Sequence, residues 1–327
     1  MPTEGYILHC YGSEKYARHA VASVSTLRRY DTERPVALYC PDRHRTYLED
    51  AGVASLFERI EPLPKAHRSI VGFKHHVHQF MPYDRCLFLD TDMVWCRAPD
   101  PLWQQLSAFR FTATGRERAD FFFGGPKGIG VVMDILLNRR DRTLKRFNLT
   151  YLPRVQAGMI YAQDQALTQK MCEKAQHFLS RVDETHFRSR LNEGRSEETC
   201  EWSMAMAMSA LKLPVFSWMQ GYSSPQMDFI DALVTYDDAF EEVTCAYYTV
   251  PFIHSLRGIP NETLRAVLIG LLTRVPGMGD RMDITPFVLH FGWLHQKEPF
   301  HAFANRVWTN RHALLPVASE NGKQVNK

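Results

Sequence analysis

The chain has 327 residues, enough for one large α/β domain or two ordinary ones with a sizeable buried core. Hydrophobic residues at 45% and charged residues at 23% are ordinary globular values, and a formal charge of +3 makes no case for nucleic acid as a partner. The seven cysteines form no CxxC pair, their count is odd, and Cys10, Cys40 and Cys86 sit in apolar strand-like runs. That pattern predicts reduced, buried thiols in a cytoplasmic protein. "MPTEGYILHCYG" lacks a basic region followed by an apolar core, so no signal peptide is expected. No run reaches the roughly 18 apolar residues of a membrane span, and "LRAVLIGLLTRV" (264–275) is expected to be a core helix.

Along the chain, "YILHCY" (6–11) reads as a buried strand, followed by a helix over 14–30 that Ser13 would cap. A second strand (35–40), a second helix (44–52, closed by Gly52) and a third strand (56–63) come next. "GFKHHVHQFMPYD" (72–84) predicts a helix ending before Pro82, and "RCLFLD" a fourth strand. Strands alternating with helices on this scale imply an α/β fold built on a mostly parallel sheet. Further on, 109–114, 157–162, 214–218 and 286–291 read as strands, and 165–182 and 199–213 as helices. Met204, Met206 and Met208 alternate at the wrong period for a helical stripe and read as packing. The tail 316–327 is expected to be disordered.

One segment breaks the pattern. In "RCLFLDTDMVWCRAPDPLW" (85–103), Asp90 and Asp92 interrupt the most apolar run of the chain. Buried carboxylates are costly without a positive partner. Residues i and i+2 of an extended chain face the same side, and open α/β sheets bind ligands beyond the carboxyl ends of their strands. Two hard oxygen ligands placed there suit Mn²⁺ or Mg²⁺, which would bridge phosphate oxygens. Two adjacent buried carboxylates also repel, so Asp92→Asn is expected to raise thermal stability without metal. Asp92 is at the same time expected to be required for turnover.

The segment resembles the Asp-x-Asp stretch of GT-A-fold glycosyltransferases, and of glycosyltransferase family 8 in particular. The likeness extends to Pro101-Leu102-Trp103, to the opening "CYGSEKYARHAVASVSTLRRY", to "AGMIYA" with Gln156 where the family has Asn, and to the closing "VLHFGWLHQKEPF". In that last segment Gly292 is one place early, Lys297 one place late, and Glu298 separates Lys297 from Pro299.

The resemblance implies a GT-A domain over 1–315, with a Rossmann-like sheet carrying helices on both faces. Residues 1–103 would bind the nucleotide sugar and 104–315 would serve the acceptor side. It implies transfer of a sugar from a nucleotide diphosphate donor, a UDP-sugar above all, to a glycan, lipid-linked or small-molecule acceptor. Asp90, Asp92 and His290 would hold the metal, and Asp90 would also contact the donor ribose. Tyr11, Gly12 and Tyr16 would meet base and ribose, Lys74 would contact the donor, and Lys297 would sit near the diphosphate. Glu201, near a helix start, would contact sugar hydroxyls. Gly292 would let backbone approach the phosphates. "DFFFGGPKGIG" (120–130) would be a mobile loop beside the acceptor.

His254 in "VPFIHSLRG" competes with His290 as the third ligand, and "HHVH" (75–78) is a weaker metal signal. Two other functions stay open. A haloacid-dehalogenase-type phosphohydrolase also uses Asp-x-Asp, and "YDD" (236–238) and "GDRMD" (279–283) would supply its further acids. A catalytically silent nucleotide-sugar-binding module would keep the fold without the chemistry.

Overall fold

A computed structural model describes residues 3–119 and 129–314. The expected 120–130 loop lies almost wholly outside them, as does the 316–327 tail. Seven strands form the central sheet: β1 (Glu4–His9), β2 (Val36–Cys40), β3 (Arg59–Pro62), β4 (Arg85–Leu89), β6 (Phe111–Arg116), β7 (Arg154–Ala162) and β8 (Phe216–Ser217). β5 (Met93–Trp95) belongs to a different sheet. The order is β3-β2-β1-β4-β7-β6-β8. β3, β2, β1 and β4 run parallel, β7 runs against both β4 and β6, and β8 lies parallel to β6. The sheet is therefore mostly parallel, as the alternation of elements implied.

Both faces are covered, which is why the strands read as continuous apolar runs. On β1, Tyr6 and Leu8 point to one face, packing with Ala17, Ala20, Val21 and Val24 of α1 (Lys15–Leu27). α2 (Asp42–Asp50) and α4 (Asp100–Leu106) add Leu48 and Trp103 on that side. Ile7 points the other way, into the cluster that holds Phe73 of α3 (Ile70–Lys74), Met171 of α7 (Gln165–Leu179) and α8 (Glu201–Ala210). α8 is buried from Trp202 through Ser209, so its three methionines are core packing.

Between β6 and β7 come α5 (Ile129–Leu136) and α6 (Arg139–Arg146). After β8, two three-stranded sheets complete the fold. One is β10 (Val234–Tyr236), β11 (Val243–Tyr248) and β12 (Arg281–Ile284). The other sets β13 (Val288–His290) between β5 and β9 (Gln226–Asp228). α9 (Pro251–Ser255), α10 (Glu262–Leu272) and α11 (Glu298–Thr309) fill the remainder.

Three local expectations are corrected. Ser13 does not cap α1: the helix starts after Glu14 with no side-chain cap, and Ser13 contributes its carbonyl to Tyr16 N at 3.1 Å. The 72–84 helix is only α3 plus a separate turn at Val77–Gln79, because Ser69 caps it early and Phe73 then stacks on Phe80 with centroids 4.8 Å apart. The 264–275 segment is a core helix on one face only: α10 packs Ile269, Leu268 and Leu272 into a core cluster and pairs Arg265 with Asp231, while Leu264, Val267 and Leu271 face outward.

Candidate active site

The strand order reverses between β1 and β4: the chain leaves β1 toward β2 and β3, then returns to the other side of β1. A crevice must open at the carboxyl ends of these two strands. Tyr11 and Gly12 follow β1 there, and Asp90 follows β4. His44 Nε2 lies 3.1 Å from the Gly12 carbonyl, which anchors the loop.

The Asp90–Asp92 step is where the chain passes from one sheet to another. Asp90 N still bonds the Gly158 carbonyl of β7 at 2.9 Å, whereas the Asp92 carbonyl already accepts from Phe291 N beyond β13 at 3.0 Å. That handover lets two carboxylates stand between buried strands yet face a cleft. β13 runs antiparallel to β5 with His290 opposite Met93, bringing the imidazole to the same point. His290 Nε2 lies 3.8 Å from Asp90 Oδ2 and 3.7 Å from Asp92 Oδ1. One ligand atom from each of the three residues falls within 4.8 Å of the others, a group that could hold a metal ion.

Ammonium groups meet the carboxylates from the outer sides. Lys74 Nζ is 2.7 Å from Asp90 Oδ1 and donates to the Ala157 carbonyl at 2.8 Å. Lys297, directly before α11, places Nζ 2.5 Å from Asp92 Oδ2. Burial acts to raise the Asp92 carboxyl, but Lys297 and His290 outweigh it and hold it down to about 2. Both lysines are raised: burial opposes their charge, and the facing aspartates restore it.

His290 is held from behind. β9 lies parallel to β13 with Asp228 level with His290, and Asp228 Oδ1 is 2.8 Å from His290 Nδ1. Arg257 Nε lies 3.0 Å from the other Asp228 oxygen. Burial would raise the Asp228 carboxyl, yet Arg257 and His290 pull it below its ordinary value, so it is ionised and Nδ1 donates to it. The Gln156 amide nitrogen is also 2.9 Å from Nδ1, but Gln156 Oε1 is committed to Gly158 N at 2.7 Å. Two donors cannot bond one another, so Asp228 is the partner of Nδ1 and Nε2 is left to face the aspartates.

Gly292 packs on the imidazole: a Cβ there would sit 2.6 Å from His290 Cε1. Any side chain at this position would collide with the histidine ring.

A cavity of about 510 Å³ opens over the group, lined by Tyr11, Gly12, Tyr16, Lys74, Asp90 and Asp92 among others. Glu201, in the first turn of α8, lies apart from that lining, below Lys74 and near Arg154 and Arg257. Its carboxyl is raised by burial against the pull of Lys74, and among the described residues none donates a hydrogen bond to it.

His254 is not brought to the group. It lies on α9 rather than at a strand end, and its Nε2 is 3.1 Å from both the Tyr248 amide and carbonyl. His75 is likewise spent on Ser203 Oγ at 3.0 Å.

Sequence reasoning missed Asp228 and Arg257, and also the segment that roofs the cleft. Arg190, Arg195 and Glu197 line the cavity, and Glu197 accepts from Tyr11 OH at 2.7 Å and Ile70 N at 3.0 Å. A carboxylate in the short apolar stretch "QMDFID" was the one available sign of Asp228.

No family model matches the chain, and no curated protein does. Solved structures to which the chain is similar include glycosyltransferases. The galactosyltransferase LgtC, in complex with donor and acceptor sugar analogs, is 12% identical over 97% of this chain and 98% of its own, with a TM-score of 0.49. The bifunctional glycosyltransferase WbbM is 10% identical over 96% of this chain and 52% of its own, at 0.48. GlyE of Streptococcus pneumoniae TIGR4 is 11% identical over 97% and 66%, at 0.45.

Proposed function

We infer that this chain is a metal-dependent glycosyltransferase that takes a sugar from a nucleotide diphosphate, with a UDP-sugar as the leading donor. The observation that carries the reading is the meeting of Asp90, Asp92 and His290 at the switch point of the sheet, beneath a cavity of about 510 Å³. Mn²⁺ or Mg²⁺ fits this donor set, because two carboxylates and an imidazole nitrogen converge and Asp228 fixes which nitrogen that is. Bound there, the ion would offset the charge that builds on a departing diphosphate.

The chain's own groups divide the remaining work. Tyr11, Gly12 and Tyr16 form the wall on which base and ribose rest, with Asp90 at the ribose. Lys74 and Lys297 set positive charge on either side of the phosphates. Glu201 is the carboxylate assigned to the sugar hydroxyls: it is half-buried, accepts no hydrogen bond among the described residues and feels the charge of Lys74. The site draws on both parts of the chain, 1–103 and 104–315, which supports reading them as one domain.

The phosphohydrolase alternative gains no support. Its further acids, around Tyr236–Asp238 and Gly279–Asp283, do not join the group among the described residues. The test is turnover: release of UDP from a panel of UDP-sugars with Mn²⁺, compared with EDTA. Metal-dependent UDP release supports the reading. Hydrolysis of simple phosphate esters, or binding of UDP without any turnover, removes it.

A further inference from the structure

The excursion between β6 and β7 leaves and rejoins the sheet at the edge that carries the site. β6 runs parallel to β4, since both oppose β7, so its end at Arg116 lies on the same side as Asp90. β7 starts at that edge too, and its Gly158 carbonyl bonds Asp90 N. The connection that carries α5 and α6 therefore starts and ends at the rim of the sheet that carries the site.

α5 is inverted relative to an ordinary surface helix. Leu136 is 72% exposed, Val132 51%, Ile135 47% and Met133 43%, while the one charged residue among them, Asp134, is 1% exposed. Asp134 is held inward by Arg139 at 3.1 Å. Single exposed apolar side chains need no explanation, but four within five residues, around a buried acid, form a patch. The next helix is cationic: Arg142, Lys145 and Arg146 are exposed on α6, with Asp141 the only exposed acid between 132 and 148.

We propose that α5 and α6 dock this rim on an anionic phospholipid surface, α5 entering the headgroup boundary and α6 meeting the lipid charge. An eight-residue helix is about 12 Å long, far short of a span of about 30 Å, so it lies in the interface. Charge selects the occupant. A second copy meeting this face by two-fold symmetry would set one cationic helix against another. An anionic bilayer accepts the apolar and the basic groups together. The inference goes beyond sugar transfer and does not depend on it.

The test is co-sedimentation of the full chain with vesicles of neutral phosphatidylcholine and of phosphatidylcholine containing phosphatidylglycerol. Binding is expected to the anionic vesicles only and to weaken with salt. Arg142→Glu/Lys145→Glu is expected to lower partitioning by about 25-fold or more, at about fivefold per charge lost. Ile135→Glu/Leu136→Glu should abolish it with an unchanged melting temperature, because both side chains are exposed. Leu264→Glu, on the separate apolar stripe of α10, should bind as the unaltered chain does. Failure to pellet with anionic vesicles, equal binding to neutral ones, loss through Leu264→Glu instead, or a dimer in sedimentation velocity that Leu136→Glu dissolves would each overturn the proposal.

Discussion

Asp228 and His290 sit level with each other on adjacent parallel strands, with Asp228 Oδ1 2.8 Å from His290 Nδ1. The pairing settles the tautomer of the imidazole and aims Nε2 at Asp90 and Asp92. Arg257 in turn holds Asp228 ionised, so a chain of charge runs Arg257–Asp228–His290 to Asp90 and Asp92.

Asp228→Ala should therefore weaken Mn²⁺ binding about 10–100-fold, the range found when groups behind a ligand are removed. Asp228→Asn keeps an acceptor for Nδ1 and should retain more affinity than the alanine variant. Calorimetric titration of Mn²⁺ measures this, and ¹⁵N shifts of His290 report the tautomer. Unchanged affinity in Asp228→Ala would remove the positioning role.

The two candidate histidines should separate cleanly. His290→Ala is expected to weaken Mn²⁺ binding about 10–100-fold or more. His254→Ala should leave metal binding intact and cost about 1–3 kcal/mol of stability, because a buried backbone group of Tyr248 loses its partner. Urea titrations alongside the metal titrations decide it, and the reverse ranking would move the site.

Asp92→Asn should abolish turnover and leave the fold intact. Its effect on stability reverses the expectation from sequence. Lys297 at 2.5 Å, not a bare second carboxylate, dominates the surroundings of Asp92. The carboxyl falls from 3.8 to about 2, which is on the order of 2 kcal/mol. A lowered carboxyl stabilises the fold above its unfolded pKa, and that contribution disappears as pH falls from about 4 through about 2. Metal-free Asp92→Asn should accordingly melt lower than the unaltered protein at pH 7, with the gap closing in acid. A higher melting temperature at pH 7 would restore the repulsion argument.

Glu201 has the opposite sign. Burial raises its carboxyl above the unfolded 4.5, so the folded state holds the proton more tightly than the unfolded chain does. Its contribution is complete below the unfolded value and is lost as pH rises through the folded one. Glu201→Gln should be more stable than the unaltered chain near pH 8 and show little difference near pH 4, while sugar transfer falls. Melting curves across that range test the first part. A destabilised Glu201→Gln at pH 8 would mean the carboxylate has a partner.

All seven cysteines are buried and unpaired, as the odd count, the lack of a CxxC pair and the apolar runs around Cys10, Cys40 and Cys86 implied. Intact-mass measurement after thiol labelling of the unfolded, unreduced chain should count seven free thiols. A stoichiometric disulfide would contradict this.

The parts of the protein that local pattern controls were legible in the chain. Alternating apolar runs and helical faces led to the parallel sheet, and Asp90 and Asp92 declared themselves because nothing else in an apolar run explains two charges there. Lys74 was a candidate only through the family resemblance, and the helix expected around it is broken. His290 was separated from His254 only by the glycine, lysine and proline–aromatic pair on its C-terminal side. Tertiary structure alone decided the rest. Asp228 reaches His290 across 62 residues through a strand pairing that no local periodicity encodes. Lys297 faces Asp92 from the cap position of α11, directly after the turn Leu294–Gln296. Whether α10 and α5 bury or expose their apolar faces depends on where Arg265 and Asp134 find partners, Asp231 and Arg139. A sequence states which side chains need a partner; only the folded chain fixes which partner arrives, because distant segments supply it.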